Sequence, residues 1–123
     1  KYQFILDNKV VFTIPRDIKL LNKFPEDISN QLLNQEKYVV SHKVTEKNFI
    51  SFLEFVIKGD QPKVNSKSII DYIELCEVFK QRIDYIESEN GQNIYKEAVM
   101  NCLISNQNNN YKSLLPEVNL QDI

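Results

Sequence analysis

Glycine is scarce in this chain: Gly59 and Gly91 are the only two among its 123 residues. Phosphate-binding loops need several closely spaced glycines, because the backbone must approach the phosphate groups. Neither a P-loop nor a dinucleotide-binding turn can therefore be built, and we expect no nucleotide cofactor. Gly91 follows Asn90, and this turn-forming dipeptide predicts the end of a helical segment.

Histidine and cysteine are also rare. His42 is the single histidine, and neither Cys76 nor Cys102 has a partner at metal-ligand spacing. We therefore expect no catalytic residues, no metal ligands and no cofactor. His42 is interpreted as a surface imidazole, and Cys76 as a buried thiol with a raised pKa. Two cysteines without a multi-bridge framework indicate a reducing intracellular compartment, cytoplasmic or nuclear.

Neither charge sign dominates, since 15 basic and 17 acidic side chains give a net charge of -2. Without a broad basic field we expect no nucleic-acid partner and no membrane partner. No apolar run approaches the length of a membrane helix. The acidic residues Asp71, Glu74 and Glu77 are interpreted as the solvated side of a helix rather than as a catalytic site. Because Lys1 is not an initiator methionine, we expect the chain to be a piece of a longer protein.

Hydrophobic residues make up 42% of the chain, enough for the core of one domain. Its predicted span is residues 1–105, followed at 106–123 by a polar break and a tail that leads to a further region. Short runs rich in β-branched and aromatic residues at 2–6 and 10–14 predict a β-hairpin, and residues 38–40 predict a third strand. Together with the helices, these strands indicate the α/β (α+β) class.

Apolar residues at helical spacing predict several helices. Their expected ranges are 17–23, 26–35, 46–58, 66–79, 82–89 and 94–103. Thr45 is a good N-cap for the third helix, and Gly59 stands where a left-handed C-terminal residue is favoured. In the first helix we expect Ile18, Leu20 and Leu21 to point inward, and in the second helix Ile28, Leu32 and Leu33 stand at helical spacing. The third and fourth helices have the widest apolar arcs, so we expect them to form its centre.

The order of these elements resembles the BTB/POZ fold. Residues 48–59, NFISFLEFVIKG, are similar to the Phe-containing helix of that family, and residues 69–79, IIDYIELCEVF, are similar to its next helix, with Cys76 at a small-residue position. Residues 24–33, FPEDISNQLL, resemble BTB-like domains that precede ankyrin-type repeats in some protists. The resemblance covers about residues 2–90. It implies a small three-stranded sheet covered by a cluster of helices.

This resemblance implies a non-enzymatic protein–protein interaction module that self-associates, as a homo-oligomer, or holds a partner. A cullin-ligase substrate adaptor is the narrower option, because Val44-Thr45-Glu46 fits the apolar, any, acidic triplet of such adaptors. The alternative interpretation is a helix start, in which Val44 ends a strand, Thr45 caps the helix and Glu46 complements its dipole.

Apolar residues that the core does not use are the other candidate contacts. Ile50 and Phe55 lie on the flanks of the Phe-containing helix, and Leu114 and Leu115 belong to the tail. Exposed apolar groups in such numbers mark a contact surface. Two further hypotheses stay open: a structural domain that organises downstream repeats, and an unrecognised enzyme.

Overall fold

The computed structural model describes residues 1–105, and the predicted hairpin opens the chain. Strands β1 (Tyr2–Leu6) and β2 (Lys9–Ile14) pair antiparallel. Asp7 and Asn8 form the turn between them, with φ angles of 53° and 66°. Two consecutive positive φ angles are typical of the type I′ turn, whose twist matches that of the flanking strands. The hairpin is therefore confirmed.

A third strand completes the sheet of the described residues. β3 (Lys37–Val39) pairs in parallel with β1, which gives the strand order β2-β1-β3. On one face of β1 the side chains of Tyr2, Phe4 and Leu6 are buried, and the helices cover this face. The α+β class is confirmed, with helices beside a small mixed sheet.

Most helices begin and end close to the predicted positions, but the last one begins at Glu89, five residues before the predicted start. In chain order they are α1 (Ile18–Leu21), α2 (Glu26–Gln35), α3 (Glu46–Lys58), α4 (Ile69–Phe79), α5 (Asp84–Glu87) and α6 (Glu89–Ser105). Thr45 caps α3, because its Oγ1 accepts a hydrogen bond from the Asn48 N–H at 3.3 Å. Gly59 ends α3 at φ 85°, in the left-handed region. The sequence-based limits of α3 are therefore confirmed.

α3 and α4 supply the centre of the core. Phe49 and Phe52 of α3 and Phe79 of α4 are fully buried. The ring of Phe79 lies 5.5 Å from that of Phe52 and 6.2 Å from that of Phe49, and it also contacts Phe24 and Tyr38. Edge-on and tilted contacts of this kind stabilise a core beyond the area that they bury. The prediction that these two helices form the centre is confirmed.

Two expectations about helices are wrong. Ile18 of α1, which we expect to point inward, is 71% exposed, whereas Leu21 of the same helix is buried. Gly91 does not end an element, because it lies in the first turn of α6. A Cβ at this position would clash with the Tyr85 carbonyl oxygen. The glycine therefore allows α5 and α6 to approach closely, which is a packing role that its sequence neighbours do not reveal.

Candidate functional site

The triplet at residues 44–46 has a structural role in this chain. Val44 is buried in the core, and β3 ends five residues before it, so the expectation that Val44 ends a strand is wrong. Thr45 caps α3, as the helix-start interpretation requires. Glu46 is exposed, and its carboxylate pairs with Lys9 Nζ of β2 at 2.6 Å. Thr45 and Glu46 are both exposed, but the Thr45 hydroxyl is engaged as the helix cap.

The other predicted contact residues are Ile50 and Phe55 of α3 and Leu114 and Leu115 of the tail. Ile50 is half-buried, whereas Phe55 is only 7% exposed and its ring packs on Phe52 at 5.6 Å. The expectation that the core does not use Phe55 is therefore wrong. Leu114 and Leu115 lie outside the described residues. The predicted contact residues within the range 1–105 do not form one exposed patch, because Val44 and Phe55 are buried.

Acidic residues of α4 hold the segment that leads into α3. One carboxylate oxygen of Asp71 accepts hydrogen bonds from the Thr45 N–H at 3.0 Å and from Asn48 Nδ2 at 2.8 Å. Glu74 Oε1 lies 2.7 Å from Nδ1 of His42, and this nitrogen carries the hydrogen because the carboxylate is the acceptor. The interpretation of Asp71 and Glu74 as simply solvated is therefore wrong. Both connect α4 to the start of α3.

Cys76 lies beside a shallow pocket of about 400 Å³ between α4 and α5. Burial raises the pKa of its thiol to about 11, partly opposed by a hydrogen bond with the Ile83 backbone, while the nearby Glu87 carboxylate raises the pKa further. The predicted raised pKa is confirmed. A thiol that stays protonated at neutral pH is a weak nucleophile. Cys76 is half-buried rather than fully buried, and it packs against the core.

An open groove of about 760 Å³ runs along α3. One wall comes from the exposed side of α3, and the other comes from residues 60–72, which lead from Gly59 into α4. We call it the α3 groove. Its floor includes the buried rings of Phe55 and Tyr72. The Tyr72 side chain hydrogen-bonds with Ser51, and burial raises the pKa of Tyr72. These contacts connect the two walls of the groove.

Lysines give the α3 groove its charge. Its lining contains four lysines and two acidic residues, a net charge of +2, whereas the whole chain has -2. Lys58 is paired with Glu54 at 3.2 Å. Lys47, Lys63 and Lys67 are exposed, and no residue that the structure describes forms an ion pair with them. Three of the four ammonium groups are therefore available to a ligand.

Sequence reasoning missed this groove. Lys47 is in the first turn of α3, Lys63 is in an irregular segment and Lys67 is in the turn before α4. Periodicity can assign Lys47 to a polar helix face, but it cannot show where an irregular segment places the other two. The available signal is the count of lysines at residues 58–67, three in ten positions, against a chain with a net negative charge.

Further features of residues 1–105 bear on function. No helix in this range has both the length and the apolar character that crossing a membrane requires. In the same range, there is no group of three or more histidine, cysteine or acidic side chains that could hold a metal ion. Comparisons of the chain with known protein families, with curated proteins and with solved structures found no match.

Proposed function

We propose that this chain is a BTB/POZ-like protein–protein interaction module without catalytic activity. The observed order of elements supports the proposal: a hairpin, the α1–α2 pair, β3 beside β1, and α3 ending at Gly59 before α4. This is the order on which the resemblance to the BTB/POZ fold rests. A fold hosts many functions, however, so the functional part of the proposal depends on the surface.

The α3 groove is the observation that carries the functional part. It combines an apolar floor at Phe55 and Tyr72 with exposed lysines that have no ion-pair partner among the described residues. Apolar contact area bordered by a polar, solvent-accessible rim is the usual composition of a protein-binding surface. The hydroxyl of Ser51 in the groove is hydrogen-bonded with Tyr72, which is not a general base at neutral pH.

A structural domain that organises downstream repeats is the second candidate, and α6 favours it. Met100 is 40% exposed and Ile104 is 66% exposed, and they lie one helical turn apart. An exposed apolar strip near the end of a helix suits a following segment that packs against it. Ankyrin-type repeats after residue 123 in the full-length protein would favour this candidate over the first.

The cullin-ligase adaptor is a narrower form of the first proposal. Within the triplet, it depends on Glu46, because Val44 is buried and Thr45 caps α3. A cullin captured by the full-length protein, and lost in the Glu46→Ala variant, would support it. We place the protein in an intracellular compartment, cytoplasmic or nuclear, since Cys76 and Cys102 are both free thiols.

Two measurements test the interaction module. Sedimentation of the chain at several concentrations, with and without residues 111–123, measures self-association as a concentration-dependent mass. Affinity capture with chemical cross-linking from native cells identifies a protein held by the full-length form. We expect a second copy or a defined partner. A strict monomer in both forms, together with no cross-linked protein, would contradict the proposal.

A further inference from the structure

We propose that the α3 groove binds an acidic peptide segment of a partner protein. This inference rests on the proposed function, because it names the chemistry that the interaction module recognises. The peptide lies in the groove formed by α3 and residues 60–72, and Lys47, Lys63 and Lys67 contact the carboxylates of the peptide.

Charge is the first argument. Three ammonium groups come from separate places in the chain: the first turn of α3, the irregular segment and the turn before α4. Like charges that line one groove repel each other, and this repulsion is relieved when an anionic ligand enters. Lys58 already has a partner in Glu54, so the attraction for a ligand comes from Lys47, Lys63 and Lys67.

The shape of the groove selects a peptide. Its volume of about 760 Å³ is far more than a single anion fills, and it is open along its length. Half-buried Pro62 adds apolar surface to the rings of Phe55 and Tyr72. Side chains of an extended peptide alternate in direction, so one set can lie on this floor while acidic groups reach the lysines.

Two acidic residues in the lining argue against nucleic acid. Asp60 and Glu54 would lie near the regular charges of a phosphate backbone, and the chain as a whole is negative. A single phosphate group would fill only a small part of a groove of about 760 Å³. Separate carboxylates on a flexible peptide can avoid Asp60 and still reach the three lysines.

Fluorescence anisotropy tests the inference. The probe is a fluorescein-labelled decapeptide in which Glu and Ala alternate, and its counterpart carries Gln in place of Glu. We expect the Glu peptide to bind the chain at least about tenfold more tightly than the Gln peptide, because each surface ion pair contributes modestly and three act together. Binding should weaken as salt is added, since the charges are exposed.

A matched pair of variants locates the site. The groove variant carries Lys47→Gln, Lys63→Gln and Lys67→Gln, and the control variant carries the same change at three exposed lysines outside the groove, Lys19, Lys37 and Lys96. Both variants have the same net charge. We expect the groove variant to lose about tenfold in affinity and the control to bind like the unchanged chain. Circular dichroism and thermal unfolding verify that both variants fold.

Several outcomes would overturn the inference. Equal loss of affinity in both variants would indicate attraction by overall charge rather than a site. Full competition by inorganic phosphate would indicate a simple anion site, and tighter binding of a labelled oligothymidylate would indicate nucleic acid. If the peptide fails to bind while sedimentation or cross-linking still shows a protein partner, the groove assignment is wrong and the proposed function stands.

Discussion

Two adjacent leucines in α2 test how the core is laid out. Leu32 is fully buried, whereas Leu33 is 54% exposed, because Leu32 lies one turn after Ile28 and Leu33 is rotated further by about 100°. The changes Leu32→Ala and Leu33→Ala remove the same atoms from the same helix. Their difference therefore reports burial alone, with backbone and helix propensity held nearly constant.

The magnitudes follow from the exposed fractions. Leu→Ala at a fully buried site costs about 2–5 kcal/mol, because transfer to water and an unfilled cavity add together. At Leu33 the transfer contribution is at most about half of the roughly 1.5–3 kcal/mol for a buried leucine, and no closed cavity forms. Alanine is also slightly the better helix former. We expect Leu33→Ala to cost about 1 kcal/mol or less.

Urea denaturation followed by circular dichroism provides the assay. With a slope of about 1–3 kcal/mol per molar urea, Leu32→Ala should lower the unfolding midpoint by roughly 1 M or more. Leu33→Ala should shift it by only a few tenths of a molar unit. An equal loss in the two variants would refute the placement of α2, because it would mean that the core covers both side chains.

Three further substitutions and one ligand test extend this reasoning. Phe52→Ala should lower the free energy of unfolding by about 3–5 kcal/mol, and a loss below about 1 kcal/mol in denaturant would show that the ring is not in the core. Gly91→Ala places a methyl group against the Tyr85 carbonyl, and this overpacking should cost about 1–3 kcal/mol, more than the gain in helix propensity. A higher Tm in this variant would contradict the close packing of Gly91 on Tyr85. The pKa of Cys76 is raised from 9.0 to about 11 on folding, so its stabilising contribution is present below about pH 9 and is lost as the pH rises through about 11. The free energy of unfolding should therefore fall less steeply over this pH range in Cys76→Ala than in the unchanged chain. Parallel plots of unfolding free energy against pH would refute the shift. Zinc, ATP or NAD should leave Tm unchanged, and a reproducible rise would count against a non-enzymatic module.

Local features of the sequence were sufficient to predict the ends of α3 and the hairpin. Thr45 and Gly59 act through the chain beside them, by a side-chain hydrogen bond to the first turn and by a left-handed residue after the last. Asp7 and Asn8 tolerate positive φ angles, which is a property of the residues themselves. Structural elements that are determined by residues only a few positions apart can be predicted from a single sequence.

Features that depend on distant segments could not be predicted. The packing role of Gly91 depends on how closely the Tyr85 carbonyl of α5 approaches it. The contacts of Asp71 and Glu74 join residues 26 and 32 positions apart. A helical projection shows that these two carboxylates share a face, but not that another segment lies against it.

The residues that shape the α3 groove differ from those that give it its charge, so its lysines can change without loss of the fold. Asp71 fixes the start of α3 through the Thr45 and Asn48 hydrogen bonds, while the floor of the groove belongs to the core. Lys63 and Lys67, in contrast, project from the connection between α3 and α4 and have no ion-pair partner among residues 1–105. Exposed substitutions of this kind change stability by only about 0.5 kcal/mol. If the groove binds the proposed acidic peptide, its ligand preference can change through the lysines while the hydrogen bonds of Asp71 and the buried aromatic rings hold the groove in shape.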